Sequence, residues 1–191
     1  MNNRILILFL GFIFIANISV AQDKIPTQSV YVELGGAGLP FSFNYDFRFE
    51  KERIDTWGMR LGVGGYAIGD ESFLSLPVQI NKLFGKGPHY FEIGAGATLV
   101  AFKTPSYSYC NNYTYDQDGN FICEGSFTSP SDETSFILDI KGSPNLMGTF
   151  NLGYRRIPVD GGFTWRANLS PIFNSNGFWP LWFGVSFGYA F

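Results

Sequence analysis

The sequence predicts an all-β protein, an eight-stranded antiparallel transmembrane β-barrel that follows a cleavable signal peptide. Three observations lead to this prediction. Bulky apolar residues alternate with small or polar ones along segments of about ten residues, as in strands whose two faces meet different environments. Aromatic residues make up 18% of the chain and charged residues only 15%, against about 25% charged residues in a typical soluble domain. After residue 21, no run of about 18 apolar residues predicts a membrane-spanning helix.

The first 21 residues have the features of a secretory signal peptide. Arg4 supplies a positive charge, Ile5 to Ile15 form an apolar run, and Ser19-Val20-Ala21 is a small-x-small cleavage site. A transmembrane anchor is the alternative, but the run is short for a span and a cleavage site follows it. We therefore expect residues 22–28 to form a short periplasmic leader and residues 29–191 to form the barrel.

Eight alternating segments follow the leader, and each is predicted to be one barrel strand. The clearest is 41–49, in which every odd position is Phe or Tyr and every even position is Ser, Asn, Asp or Arg. Pro77 points inward in its segment, and we expect a local bulge there because proline cannot donate to a ladder. The predicted strands are residues 29–36, 41–49, 56–66, 72–83, 89–102, 145–155, 162–170 and 180–191.

The connections between these segments differ in length on the two sides of the predicted barrel. If both ends of the barrel lie in the periplasm, the turns near 50–55, 84–88 and 156–161 are periplasmic, and all are short. The opposite connections are extracellular: a tight turn near 36–40, a short connection near 67–71, the long loop 103–142 and a loop over 171–179. Short periplasmic turns and longer outer loops are expected of outer-membrane barrels, so this asymmetry supports the strand count.

The predicted lumen holds charges of both signs. Its inward positions include three acids and three bases: Glu33, Asp46, Glu92, Arg48, Arg60 and Arg166. Eight strands leave an interior that side chains can just fill, and a buried charge is costly unless it is paired. We therefore expect a network of salt bridges that plugs the barrel. A narrow ion path is the alternative.

The long loop holds both cysteines of the chain. Because the chain is predicted to be exported, a disulfide between Cys110 and Cys123 is expected, with two free thiols as the alternative. The loop aromatics are candidates for binding a protein, a glycan or a surface, unless the loop is self-packed: Tyr107, Tyr109, Tyr113, Tyr115 and Phe121. The segment Asp116-x-Asp118-Gly119-Asn120 resembles a calcium loop, but its glycine is out of register, so no metal site is predicted.

Other function classes find little support in the residues. The net charge of -3 argues against nucleic-acid binding. The chain has one histidine, His89, without an adjacent serine nucleophile, so neither a catalytic residue nor a cofactor is predicted. The glycine pairs and triplets are not followed by Gly-Lys-Ser/Thr, so they are not phosphate loops.

Three stretches carry a resemblance to a known group of proteins. Residues 31–49, 153–173 with its GYR start, and 178–191 with its SxGYxF ending resemble small outer-membrane barrel proteins of Bacteroidota. The general pattern is similar to OmpA/OmpX-type barrels, whose closing strand ends on an aromatic residue such as Phe191. The resemblance implies an integral protein of the bacterial outer membrane, surrounded by lipid and lipopolysaccharide.

The resemblance bears on architecture and location, and it says little about function. We expect a non-enzymatic structural or binding role, with the chain serving as an accessory subunit of a larger outer-membrane assembly. A narrow channel is the alternative, and a lipid-modifying enzyme is the third hypothesis.

Overall fold

The computed structural model describes residues 25–106, 108–123, 125–128, 133–134 and 140–191. The predicted signal peptide and the candidate Tyr107 lie outside these residues. Within them, no helix is both long and apolar enough to cross a membrane.

The described chain is almost entirely β-structure. In chain order the strands are β1 (Gln28–Gly35), β2 (Phe41–Arg48), β3 (Trp57–Ile68), β4 (Glu71–Lys86), β5 (His89–Lys103), β6 (Ser108–Cys110), β7 (Tyr113–Tyr115), β8 (Phe121–Cys123), β9 (Ser126–Thr128), β10 (Glu133–Thr134), β11 (Ile140–Lys141), β12 (Asn145–Arg156), β13 (Gly162–Leu169), β14 (Ile172–Asn174), β15 (Gly177–Trp179) and β16 (Phe183–Ala190). A 3-10 turn, η1 (Gly36–Gly38), joins β1 to β2.

Eight of these strands close into an antiparallel barrel, which confirms the predicted all-β, eight-stranded barrel fold. Following the hydrogen bonds, the order is β1, β2, β3, β4, β5, β12, β13 and β16, and β16 pairs again with β1. Each strand in the described part of the barrel therefore has a partner on both sides. Gln28 and Phe191 exchange backbone hydrogen bonds at one end, which we call the terminus side.

The outer surface of the barrel is apolar. Outward positions of adjacent strands carry exposed aliphatic and aromatic side chains, among them Val30, Phe43, Leu61, Val78, Ile80, Phe91, Leu99, Phe150, Phe163, Val185 and Phe187. Continuous apolar patches of this extent are rare on monomeric soluble proteins. An outward apolar band on a closed barrel is instead typical of barrels that span membranes.

Pro77 interrupts a ladder without forming the expected bulge. The pairs Leu61–Val78 and Gly64–Ser75 belong to one continuous register of β3 and β4. An inserted residue would have shifted that register. The missing proline N–H therefore costs local pairing only, and the barrel wall keeps its alignment.

The stretch 171–179 is a short hairpin, whereas the sequence predicts a loop. After a break at Ser170 and Pro171, β14 resumes the line of β13 and pairs with β12, with Phe173 opposite Gly148. β15 then pairs with β14. Proline ends one ladder because it lacks a donor, and the apolar residues beyond it allow a second ladder to form.

Candidate functional site

The lumen contains one chain of alternating charges. In order of contact it runs Arg48, Asp46, Arg155, Glu92, Arg166, Glu33 and Arg60, and each acid lies between two arginines. We call these seven residues the ionic chain. All of them are buried, and Arg60 is 0% exposed. The structure thus brings together all six charged residues predicted for the lumen, and it adds a seventh.

The added residue, Arg155, connects the two halves of the ionic chain. Its guanidinium donates to Asp46 at 2.9 and 3.1 Å and to Glu92 at 2.7 Å. The sequence carried a signal for it, because Arg155 has the same strand parity as inward-facing Asn151. Arg155 is nevertheless absent from the residues predicted for the lumen.

Glu92 separates two like charges. Arg155 and Arg166 are directly opposite each other on β12 and β13, and both face the lumen. Like charges at such positions repel. The Glu92 carboxylate lies 2.7 Å from Arg155 and 3.2 Å from Arg166, so one anion neutralises the repulsion of both.

Tyr31 is the aromatic centre of the lumen. Three guanidinium carbons lie over its ring: those of Arg166 at 5.2 Å, Arg60 at 5.6 Å and Arg155 at 5.9 Å from the centroid. Its hydroxyl accepts a hydrogen bond from Arg166 at 2.5 Å. The face of an aromatic ring attracts cations, so Tyr31 partly offsets the excess of arginines over acids in the ionic chain.

Buried amides satisfy several of the remaining donors and acceptors, whereas the Nε atom of Arg166 has no hydrogen-bond partner. Arg60 donates to Asn44 at 2.9 Å and to Gln79 at 3.1 Å. Asn81 donates to Asp46 at 2.7 Å, and Asn151 donates to Glu92 at 2.8 Å. A buried ion pair is stable only when such additional hydrogen bonds are present, so the amides are part of the same network.

An apolar cluster lies at each end of the lumen. The cluster at the end that carries β6–β9, here called the arm side, contains Leu39, Val100, Phe102, Ile140, Met147 and Ile172. The terminus-side cluster contains Ile54, Leu83, Tyr90, Ile157 and Ala190. Between them, the space beside Tyr31 and Arg166 is a cavity of about 10 Å³, roughly the room that one water molecule needs.

The β1–β2 connection folds into the arm-side mouth. Three successive backbone carbonyls of η1 accept hydrogen bonds from barrel side chains: Gly36 from Trp182, Ala37 from Thr98 and Gly38 from Ser75, at 2.7 to 2.8 Å. Gly35 and Gly36 adopt φ values of 71° and 66°, which glycine allows and other residues rarely adopt. The sequence predicts a tight extracellular turn here, and the structure shows that its residues Gly36 to Gly38 are buried in the mouth.

A hairpin arm extends from the arm side of the barrel. β6 pairs with β9 and β7 with β8 in two small sheets separate from the barrel wall. A disulfide joins Cys110 to Cys123, with Cα atoms 5.7 Å apart. Beyond it, Tyr113 and Tyr115 are 62% and 66% exposed, and their rings meet edge to face at 6.2 Å.

Two other candidate binding residues of the long loop, Tyr109 and Phe121, lie in short strands of the arm. Tyr109 lies on β6 and is exposed. Phe121 begins β8, where its backbone pairs with that of Tyr115.

The tip of the arm is held by one carboxylate. Asp116 accepts hydrogen bonds from the backbone of Asp118 at 2.9 Å and from the backbone and side chain of Asn120 at 2.7 and 3.0 Å. The hydrogen bonds from Asn120 lower the pKa of Asp116 below its usual 3.8. Across the described residues, no group of three His, Cys, Asp or Glu side chains is placed to hold a metal ion.

His89 lies at the terminus-side rim. Its Nδ1 atom is 2.5 Å from the hydroxyl of Tyr154 on the adjacent strand. A general base must reach the proton of a nucleophile, and a tyrosine hydroxyl at the barrel exterior provides no serine- or cysteine-type arrangement. The contact instead joins two neighbouring strands.

Comparisons with known proteins give one structural likeness. No family model matches the chain, and no curated protein matches it in sequence. The N-terminal β-barrel domain of Pseudomonas aeruginosa OprF is similar in structure with a TM-score of 0.48 and 12% sequence identity, over 86% of this chain and 95% of that one. The class assignment, a small closed eight-stranded barrel, rests on the strand pairing described above.

Proposed function

We propose that the chain is an integral, non-enzymatic β-barrel of a bacterial outer membrane, with its terminus side in the periplasm and its arm outside the cell. The observation that carries this proposal is the combination of an apolar exterior with a filled lumen. The lipid-facing surface supports membrane insertion. Assignment to the Bacteroidota rests on the sequence resemblance alone.

The filled lumen supports a structural barrel over a channel. A conducting path needs a continuous line of water, but the ionic chain lies between two apolar clusters and the mouth is closed by η1. We expect the purified protein to give no stable conductance steps in planar bilayers. Reproducible single-channel steps would overturn this part of the proposal.

The arm supports a binding role. Tyrosine supplies a large, rigid contact area at a low entropic cost, and the Cys110–Cys123 disulfide restricts the hairpin that carries Tyr113 and Tyr115. Tyrosine is also enriched at protein interfaces. The partner we propose is another outer-membrane protein, which makes this chain an accessory subunit of a larger assembly.

A pull-down tests the binding role. The protein is purified from membranes in mild detergent through a tag after Gln22, and the bound proteins are quantified by mass spectrometry. We expect one stoichiometric outer-membrane protein, which is lost in the Tyr113→Ser/Tyr115→Ser variant. Ile68→Ser is the matched control, since Ile68 is 72% exposed on the barrel itself. A barrel that purifies alone contradicts the subunit role.

A lipid assay tests the absence of enzyme activity. We expect lipid A mass spectra of cells with and without the protein to be identical. A new acylation or deacylation product that depends on the protein would contradict the non-enzymatic assignment.

A further inference from the structure

The terminus-side rim carries a row of basic residues. Lys86 on β4 is opposite His89 on β5, and His89 is opposite Arg156 on β12. Directly opposite residues of antiparallel strands lie about 5 Å apart, so the three side chains share roughly 10 Å of the rim. Their strand parity is that of exposed Phe84 and Phe91, so they occupy the outer face. We call Lys86, His89 and Arg156 the basic row.

An aromatic row runs parallel to the basic row. Phe84 is opposite Phe91, and Phe91 is opposite Tyr154, each two residues from a basic residue on the same face. Lys82 precedes Phe84 by two residues, away from the rim, and its ammonium lies 5.3 Å from the ring centroid of Phe84. Aromatic side chains prefer the boundary between hydrocarbon and headgroups. The aromatic row therefore marks that boundary, and the basic row lies at headgroup depth.

The basic row is not neutralised by the protein. Among residues 25–106 and the other described segments, none of the three basic side chains has a carboxylate oxygen within 4.0 Å; the ion pairs are those of the ionic chain and Arg53–Asp55. The rim acids lie in the neighbouring turns, at Glu50, Glu52, Asp55 and Asp160. Arg53 already binds Asp55 through two hydrogen bonds at 3.0 and 3.1 Å.

We propose that the basic row binds the phosphate of an anionic phospholipid in the periplasmic leaflet, with the acyl chains along the aromatic row. A guanidinium binds phosphate in a bidentate manner, and an ammonium adds a point charge. Clusters of Lys and Arg beside a membrane attract anionic headgroups. This inference rests on the proposed function, because it requires insertion with the terminus side in the periplasm.

Native mass spectrometry of the chain purified in detergent tests the inference. The probes are phosphatidylglycerol and phosphatidylcholine with the same acyl chains. We expect the wild type to retain phosphatidylglycerol preferentially. Lys86→Gln/Arg156→Gln should lower that retention about tenfold or more, because each charge near an anionic headgroup is worth roughly fivefold. Lys103→Gln/Lys141→Gln is the matched control, since it removes the same charge from exposed positions on the arm side, and it should leave retention unchanged.

Several outcomes would overturn the inference. One is equal retention of the two lipids by the wild type, and another is equal loss in both double variants. If inorganic phosphate displaces the lipid, the row is a free-phosphate site. If lipid A is retained better than phosphatidylglycerol through the same residues, the assignment of the basic row to the periplasmic leaflet is wrong.

A reconstitution step separates this inference from the proposed function. The same preparations are added to vesicles and tested for insertion by heat-modifiable mobility on gels. Failure of the wild type to insert would refute the membrane barrel itself. Insertion without a preference for phosphatidylglycerol would refute the lipid site alone.

Discussion

Replacing Glu92 with glutamine removes the anion between two arginines while keeping the shape of the side chain. In the native lumen Glu92 lies 2.7 Å from Arg155 and 3.2 Å from Arg166. Arg155 retains the Asp46 carboxylate after the change, but Arg166 retains only Glu33, at 3.8 Å. The excess of positive charge in the ionic chain rises from one to two, and most of the cost falls on Arg166.

The size of the effect follows from burial. Removing one partner of a buried ion pair typically costs about 3–5 kcal/mol, because the other charge remains in a low-dielectric site. Two arginines lose their shared anion here, which raises the loss, whereas the desolvation of Glu92 itself is relieved, which lowers it. We therefore expect Glu92→Gln to lower the free energy of unfolding by about 3–5 kcal/mol.

Denaturant unfolding of the barrel in detergent micelles, followed by tryptophan fluorescence, measures this loss. Glu52→Gln is the matched control, because it makes the same chemical change on an exposed rim turn; its unfolding should match the wild type. The double variant Glu92→Gln/Arg166→Gln should regain part of the stability, because it removes the arginine left without a close anion. A Glu92→Gln barrel within about 0.5 kcal/mol of the wild type, the usual range for surface substitutions, would refute the ionic chain as a stabilising element.

Three further predictions concern other parts of the molecule. Arg60→Ala should lower the unfolding free energy by about 3–5 kcal/mol, because it removes the close partner of the buried Glu33 carboxylate and leaves only Arg166, at 3.8 Å; unchanged unfolding in detergent would contradict a structural lumen. Reducing the disulfide should remove a restraint of about 3 kcal/mol on the unfolded arm, so the arm becomes protease-sensitive while the barrel midpoint, measured in parallel, stays constant. The folded-state pKa of Asp116 is lowered by Asn120, so its contribution to arm stability is complete above the usual 3.8 and is lost as the pH falls through the lowered value. The amide protection factor of Asn120 should decrease over that range, and the decrease should be absent in Asp116→Asn.

The barrel was predictable because its two faces differ in chemistry along every strand. Residues 41–49 alternate so regularly that only a strand places them on two faces, and β2 covers Phe41–Arg48. The same parity assigned Glu33, Asp46, Arg48, Arg60, Glu92 and Arg166 to the lumen. The disulfide followed from the predicted export of a chain with two cysteines.

The alternation of side chains along each strand predicts which residues face the lumen, but it does not predict which of them form contacts across it. Arg60 is opposite Asp46 on adjacent strands, yet its carboxylate partner is Glu33, and Asp46 pairs with Arg155 from the far side of the barrel. Long arginine side chains select partners by the shape of the closed barrel, which local sequence does not encode. The inward fold of η1 was not predictable for a related reason. A Gly- and Pro-rich turn has the same composition whether it points to solvent or into the mouth of the barrel.

The ionic chain also selects one strand register, which the apolar exterior does not determine. Sliding one strand past its neighbour by two residues returns every side chain to its original face, so lipid contacts scarcely distinguish the two alignments. On β3, the positions two residues from Arg60 are Gly58 and Gly62. A slip by two would place a glycine where the guanidinium reaches Glu33, and would leave that acid with only Arg166, at 3.8 Å. The strand register is therefore fixed by the lumen, because the ion pairs of the ionic chain form together in one register only.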